Sequence, residues 1–188
     1  MNIVEHTQEI LHIYARIPHQ ISVTSIYDVT PLSDGRIGFA LQERSIDQPY
    51  QYNYDDQEHP TSWLKHPWDF SSWGFYVAYE ADEMVGGAIV AYNTEGVYML
   101  QGRSDITYLW DIRVHPDYQG KGIGSALFGE VKAFSRARKC TSIKIETQNT
   151  NVIANKFYQA QGCILGGINR FVYPSDPEEV QLLWWYLL

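Results

Sequence analysis

The chain has 188 residues and a formal net charge of −8, with 22 Asp and Glu against 14 Lys and Arg. That length suits one substantial core, so a single domain over 1–188 is the simplest expectation. The acidic balance argues against broad nucleic-acid binding, which needs Lys and Arg to neutralise phosphates, and suits a cationic small molecule better. Cys140 and Cys163 form neither a disulfide framework nor a metal-ligand spacing, and the six histidines are scattered, so no metal site is expected. No charged and apolar leader opens the chain. Its longest apolar run, Leu182 to Leu188, falls far below the ~20 residues that span a bilayer. A soluble, cytoplasmic protein without a membrane partner is the expectation.

In chain order, Ile10, Leu11, Ile13, Tyr14 and Ile17 predict a first helix over Glu5 to Ile17, ended by Pro18. Ile21 to Val29 reads as a strand, Ser33-Asp34-Gly35 as a turn and Ile37 to Leu41 as a returning strand. From Gln42 to Ser72 periodicity breaks down amid Pro49, Pro60 and Pro67, predicting an irregular region with one short helix. Its acids Asp47, Asp55, Asp56 and Glu58 fit a solvated loop. They also fit a lip that recruits a basic amine, with neighbouring aromatics adding cation-π contacts. Gly74 to Glu80 and Met84 to Tyr92 predict a hairpin about Ala81-Asp82-Glu83, and Asn93 to Gly102 a turn with a short strand.

Thr107 to Val114 is the next strand, and simple alternation sets Tyr108, Trp110, Ile112 and Val114 on one face and Leu109, Asp111 and Arg113 on the other. A carboxylate in mid-strand is uncommon unless it is paired or working. Pro116 stops the strand, and Gln119-Gly-Lys-Gly-Ile-Gly124 turns into a helix whose Ile123, Leu127, Val131 and Phe134 make one apolar stripe. Backbone N–H groups at such a glycine turn and helix start can cradle phosphate. Thr141 to Thr147 predicts a strand, Asn149 to Asn151 capping side chains, Val152 to Gln161 a short helix closed by Gly162, and Ile164 to Tyr173 and Val180 to Leu188 two strands about Pro174–Pro177.

The hexapeptide at 119–124 resembles the Gln/Arg-x-x-Gly-x-Gly/Ala signature of the GNAT N-acetyltransferase superfamily. Asn151 through Ala154, Phe157, Tyr158 and Gly162 resembles the family's Asn-x-x-Ala-x-x-Phe-Tyr-x-x-x-Gly-Phe segment, with Cys163 in place of the usual aromatic. Ile145-Glu-Thr-Gln-Asn, Gly166-Gly-Ile-Asn and the Trp184–Leu188 end are similar to the streptothricin acetyltransferase branch. The resemblance covers roughly residues 108 to 188 and fades before that. It implies an α/β fold with a mixed, mostly antiparallel central sheet flanked by helices and a splayed central strand pair.

The resemblance also implies acetyl-coenzyme A as co-substrate. Its pyrophosphate would lie on Gln119, Gly120, Lys121, Gly122, Ile123, Gly124 and Ser125, and its pantetheine arm along Ile112, Arg113 and Val114. An N–H of Ile112 or Val114 would polarise the thioester carbonyl, and Asn151 would contact the coenzyme, with helix capping as its other reading. Tyr158 takes the place of the tyrosine that protonates the departing sulfur, a phenol still protonated at neutral pH with a reference pKa of about 10; filling a gap between helix and sheet is its bland alternative. Asp111 is the candidate base or ammonium anchor and Glu146 its competitor. Each could instead be an ion-pair partner, of Arg113 and Lys144 respectively.

The expected reaction is acetylation of a primary amine on a small cationic molecule such as a streptothricin-type antibiotic, with a protein or peptide amine as the alternative acceptor. An acyl-coenzyme A sensor without turnover is a rival. A dinucleotide site is a weaker one, because Ser125 replaces the third glycine of that fingerprint. The aromatic C-terminal end leaves a homodimer open.

Overall fold

The computed structural model describes residues 1–174 and 176–188; Ser175, within the predicted Pro174–Pro177 connection, lies outside the described residues. The elements run β1 (Asn2–His6), α1 (Leu11–Tyr14), β2 (Gln20–Pro31), β3 (Phe39–Asn53), α2 (Pro60–Trp63), β4 (Gly74–Glu80), β5 (Glu83–Tyr92), β6 (Ile106–Val114), α3 (Ile123–Ala137), β7 (Ser142–Gln148), α4 (Val152–Ala160), β8 (Ile164–Asn169) and β9 (Gln181–Leu187). They gather into two compact units. The first takes Met1–Gln20, Asn53–Ile145 and Tyr186–Leu188, and the second Ile21–Tyr52 and Glu146–Trp185.

In the first unit the strands lie in the order β1-β4-β5-β6-β7, antiparallel except for the parallel β6–β7 pair. The predicted β4–β5 hairpin is present, and Val77, Ala78, Ala88, Ile89 and Val90 form its buried centre. The apolar stripe of α3 covers one face. A Cβ on Gly86 would meet Ile123 and Leu127, and one on Gly74 would meet Phe134, so the glycines let the helix lie close. On the opposite face a Cβ on Gly87 would meet the ring of Tyr14, from α1.

The first predicted helix is corrected. Asn2–His6 is a strand paired with β4 from Asn2↔Tyr79 to His6↔Phe75, and only a 3-10 turn, Gln8–Ile10, and α1 follow. Ile10, Leu11, Tyr14 and Ile17 are nonetheless all buried, so the periodicity marked the right inward face. The predicted short strand within 93–102 is instead a 3-10 turn, Tyr98–Leu100.

In the second unit β2 and β3 form a two-stranded ribbon, closed by Leu32 N–H to Gly38 C=O at 3.0 Å. This corrects the irregular reading of 42–53, because β3 is 15 residues long and carries no buried residue. A strand without a core face has no hydrophobic alternation to display, and Pro49 is tolerated where a strand has an open edge. β8 and β9 pair antiparallel from Ile164↔Trp185 to Asn169↔Gln181. The capped helix α4 is joined to β9 by Trp184 Nε1 donating to Asn155 Oδ1 at 2.8 Å.

Candidate active site

The β5–β6 register slips once: Ile89 faces Asp111 and Val90 faces Leu109, leaving Trp110 as the extra residue of a β-bulge. Beyond it Val114 pairs with Gly86, on the α3 face, and Arg113 with Gly87, on the Tyr14 face. The bulge corrects the expected alternation. Trp110 does not share a face with Ile112 and Val114; its ring meets those of Trp63, Trp68, Trp73 and Tyr108.

The parallel β6–β7 ladder runs from Ile106↔Ser142 to Leu109↔Ile145, and β6 continues for five residues past it. Over this stretch β6 stays paired to β5, with His115 N–H donating to Val85 C=O at 2.9 Å. Antiparallel strands alternate their inward and outward amides, so the N–H groups of Arg113 and Asp111 also turn toward β5. Those of Ile112 and Val114 turn to the opposite edge. On that edge the Val114 carbonyl accepts from Gln119 Nε2 at 3.3 Å, which ties the strand to the turn that follows.

That turn passes through a 3-10 segment, Pro116–Tyr118, and then Gly120 and Gly122, with φ of 75° and 84°. Both are left-handed and both have open space where a Cβ would sit, so backbone conformation, not crowding, calls for glycine. Gly122 caps α3 without a side chain, and the first intrahelical bond is Ala126 N–H to Gly122 C=O at 3.0 Å. Amides ahead of that bond, at Ile123 and Gly124, belong to the donor-rich, dipole-positive end of the 15-residue helix. Ser125 is exposed in the same turn. Lys121 Nζ lies 4.5 Å from the centre of the Tyr118 ring, whose hydroxyl donates to Glu83 at 2.8 Å.

Asp111 is buried and multiply held. It accepts from Tyr14 Oη at 2.8 Å, from Arg113 Nε at 2.9 Å and from Arg113 Nη2 at 2.7 Å, and His19 Nδ1 lies 3.3 Å from its Oδ2. Arg113 Nη1 also donates to Asp55 at 2.9 Å and to the Ile17 carbonyl at 3.2 Å. Burial alone would raise the Asp111 carboxyl, but Arg113 and His19 outweigh it and hold it well below the usual carboxylate range. Burial likewise opposes charge on Arg113, and Asp111 more than restores it. Burial pushes the Tyr14 phenol up, and the neighbouring Asp111 charge adds to this.

Asp111 therefore stands in the ion pair with Arg113 that its alternative reading anticipated, and a carboxylate so stabilised is poorly matched to accepting protons near neutrality. Arg113, expected along the pantetheine, has its side chain turned into this cluster. Tyr14, His19 and Asp55 were not singled out as a group by the sequence. They lie far from Asp111 along the chain, Tyr14 by 97 residues.

In the second unit Asn151 caps α4, its side chain accepting from Ala154 N–H at 3.0 Å. Tyr158 is buried on that helix, its ring 5.4 Å from that of Phe157. Glu146 accepts from Tyr173 Oη at 2.8 Å, while Lys144, its expected partner, donates to the Met99 carbonyl at 3.1 Å.

An open strand edge with outward amides, followed by a left-handed glycine turn into a long helix, is the arrangement the acyltransferase resemblance implies. The acetyltransferase (GNAT) family model matches residues 41–163. The chain belongs to the GNAT acetyltransferase family. It is an acetyltransferase, and its acyl donor is acetyl-coenzyme A.

Streptothricin acetyltransferase of Escherichia coli is 29% identical over 170 residues, which cover 87% of this chain and 83% of that one. Streptothricin acetyltransferase A of Bacillus subtilis (strain 168) is 23% identical over 146 residues, 77% of each chain. The crystal structure of nourseothricin acetyltransferase superposes with a TM-score of 0.75 at 22% identity, covering 99% of this chain and 97% of that one. A Bacillus anthracis str. Ames protein solved with acetyl coenzyme A gives 0.73 at 22% identity, covering 100% and 97%.

Proposed function

We propose that this GNAT enzyme acetylates the primary amine of a small cationic molecule of the streptothricin type. The observation that carries the donor half is the open edge of β6, where the Ile112 and Val114 amides face away from β5 next to the glycine turn. Those amides would bind the pantetheine arm and polarise the thioester carbonyl, so that oxyanion charge is met by fixed donors. Gln119, Gly120, Lys121, Gly122, Ile123, Gly124 and Ser125 would hold the pyrophosphate, and Asn151 would contact the coenzyme.

Tyr158 is the proposed acid for the departing thiolate, on the strength of its place in the Asn151–Gly162 motif. For Asp111 we propose a supporting role, since its charge is committed to Arg113. The acceptor class is supported by the relatives named streptothricin acetyltransferase and by the net charge of −8, which attracts cations over distance. We place the reaction in the cytoplasm, in keeping with two buried, unbridged cysteines.

The test is incubation of the purified protein with acetyl-coenzyme A and a panel of amines that includes streptothricin, lysine and a peptide amine, following free thiol. Thiol release that needs streptothricin supports the proposal. Release with the peptide alone overturns the acceptor assignment, and silence with every amine overturns turnover.

A further inference from the structure

Within the Asp111 cluster His19 has the most exposed side chain, ahead of Asp55 at 13%. The side chains of Asp111 and Arg113 are 4% and 1% exposed, whereas that of His19 is 21% exposed. His19 presents Nδ1 to Asp111 Oδ2 at 3.3 Å, stacks its ring on Tyr54 with centroids 4.5 Å apart, and is fixed at its backbone by Tyr54 N–H donating to its carbonyl at 3.0 Å. An imidazole with a carboxylate at Nδ1 keeps its proton there, which leaves Nε2 as the basic nitrogen. Asp111 neighbours Ile112 on β6, where the open edge lies. A partly exposed imidazole, oriented by a buried carboxylate of β6, is the geometry of an oriented base.

We propose that His19 is the general base of the acetyl transfer and that Asp111 is its positioning residue. This rests on the acetyltransferase reading above. As the neutral amine nitrogen attacks the thioester carbon, the C–N bond forms and the carbonyl electron pair moves to oxygen. The nitrogen, now cationic, gives its proton to His19 Nε2. The oxyanion then collapses, the C–S bond breaks, and the thiolate takes a proton from the enzyme's acid, so that acetyl-coenzyme A and amine become amide and free coenzyme A. The imidazolium gives its proton to water and the acid regains one from water, so that the net transfer is of one proton from nitrogen to sulfur. Arg113 serves the dyad by keeping Asp111 ionised, so that Asp111 can stabilise the imidazolium without taking its proton.

Among the described residues His19 meets Asp111 of β6 and Tyr54 of the 3-10 turn that follows β3, and Asp111 is held in turn by Tyr14 of α1 and by Arg113, which also binds Asp55.

The experiment uses the full chain with acetyl-coenzyme A and the best amine of the panel. His19→Gln should lower kcat by about 10²–10⁴-fold, the range for a general base, with acetyl-coenzyme A affinity unchanged. The acidic limb of kcat that lies in the imidazole range should vanish in His19→Gln, and added imidazole should restore part of the rate of His19→Ala. Asp111→Asn should also lower kcat, and the double variant should be no worse than His19→Gln. Wild-type kcat in His19→Gln, or a loss that keeps the acidic limb and resists imidazole, overturns the assignment.

Should the wild-type protein acetylate no amine, the functional reading fails. Nitrogen NMR of His19 then still decides the dyad. An Nδ1–H tautomer that is lost in Asp111→Asn supports it, and an Nε2–H tautomer overturns it.

Discussion

Arg113 grips Asp111 in a fork, Nε to Oδ1 at 2.9 Å and Nη2 to Oδ2 at 2.7 Å, and its remaining nitrogen reaches Asp55. One buried guanidinium thus neutralises carboxylates from two distant segments. Removing it in Arg113→Ala strands both, and loss of one partner of a buried pair costs about 3–5 kcal/mol. Urea unfolding should show that loss. Arg113→Lys should recover little, because an ammonium cannot make the planar fork. A loss below about 1 kcal/mol would place the pair among exposed ones.

The same pair fixes a pH dependence. The folded Asp111 carboxyl is held below its unfolded value, so its contribution is complete above the unfolded pKa of about 3.9 and is lost as pH falls through that value toward the folded one. Wild-type stability should therefore decline as pH falls below about 4, and Asp111→Asn should flatten the decline. Parallel acid titrations of both proteins by urea midpoint would check it, and identical slopes would remove Asp111 from the linkage.

Gly122 carries φ of 84° with nothing near a Cβ. Gly122→Ala should cost about 1–2 kcal/mol from the left-handed backbone alone and leave a folded protein. If its amides hold pyrophosphate, the bulkier Gly122→Val should weaken coenzyme binding by about tenfold or more, or roughly 1.4 kcal/mol. Calorimetry with coenzyme A reads this directly, and unchanged affinity would take the turn out of the site.

Much of this was legible in the sequence, and the gaps have physical causes. β4, β5 and β6 declared themselves by apolar runs bounded by turns, α3 by its single buried stripe, and the glycine turn because φ above zero leaves a residue-type signature. β3 has no buried face and left no pattern. Trp110 is the extra residue of a bulge, which alternation cannot foresee, and so the faces of β6 were misassigned on its N-terminal side. Asp55 read as one of four loop acids, yet its side chain is only 13% exposed against Arg113. That pairing spans 58 residues and has no local trace.

Asp55 therefore leaves the acidic lip, and Asp47, Asp56 and Glu58 remain exposed. If these recruit a cationic amine, its Michaelis constant should rise with salt, since screening acts beyond about 8 Å at physiological ionic strength. A salt-independent constant would return the three to simple solvation.

Tyr158→Phe should lower kcat by about 10²-fold or more with coenzyme affinity intact, because a proton donor acts mainly in the transition state. Isotope-free stopped-flow thiol detection separates chemistry from product release here. Wild-type turnover in the variant would leave water as the acid.

Gly87 offers the sharpest test of the cluster's construction. A Cβ there would lie 2.6 Å from the Tyr14 hydroxyl oxygen and 2.8 Å from Tyr14 Cζ, while Tyr14 is fully buried and has the Arg113 guanidinium 4.8 Å from its ring centre. The ring has nowhere to retreat, so Gly87→Ala should cost about 1–3 kcal/mol by overpacking. It should also disturb the hydrogen bond from Tyr14 to Asp111. Tyr14→Phe removes only the hydroxyl and should cost about 1 kcal/mol, with Arg113 still holding the carboxylate. Tyr14→Leu opens space instead, so Gly87→Ala combined with it should cost less than the two changes taken singly. Strict additivity by urea unfolding would mean that Gly87 and Tyr14 do not meet, and that the cluster is assembled without the close approach of α1 to β5.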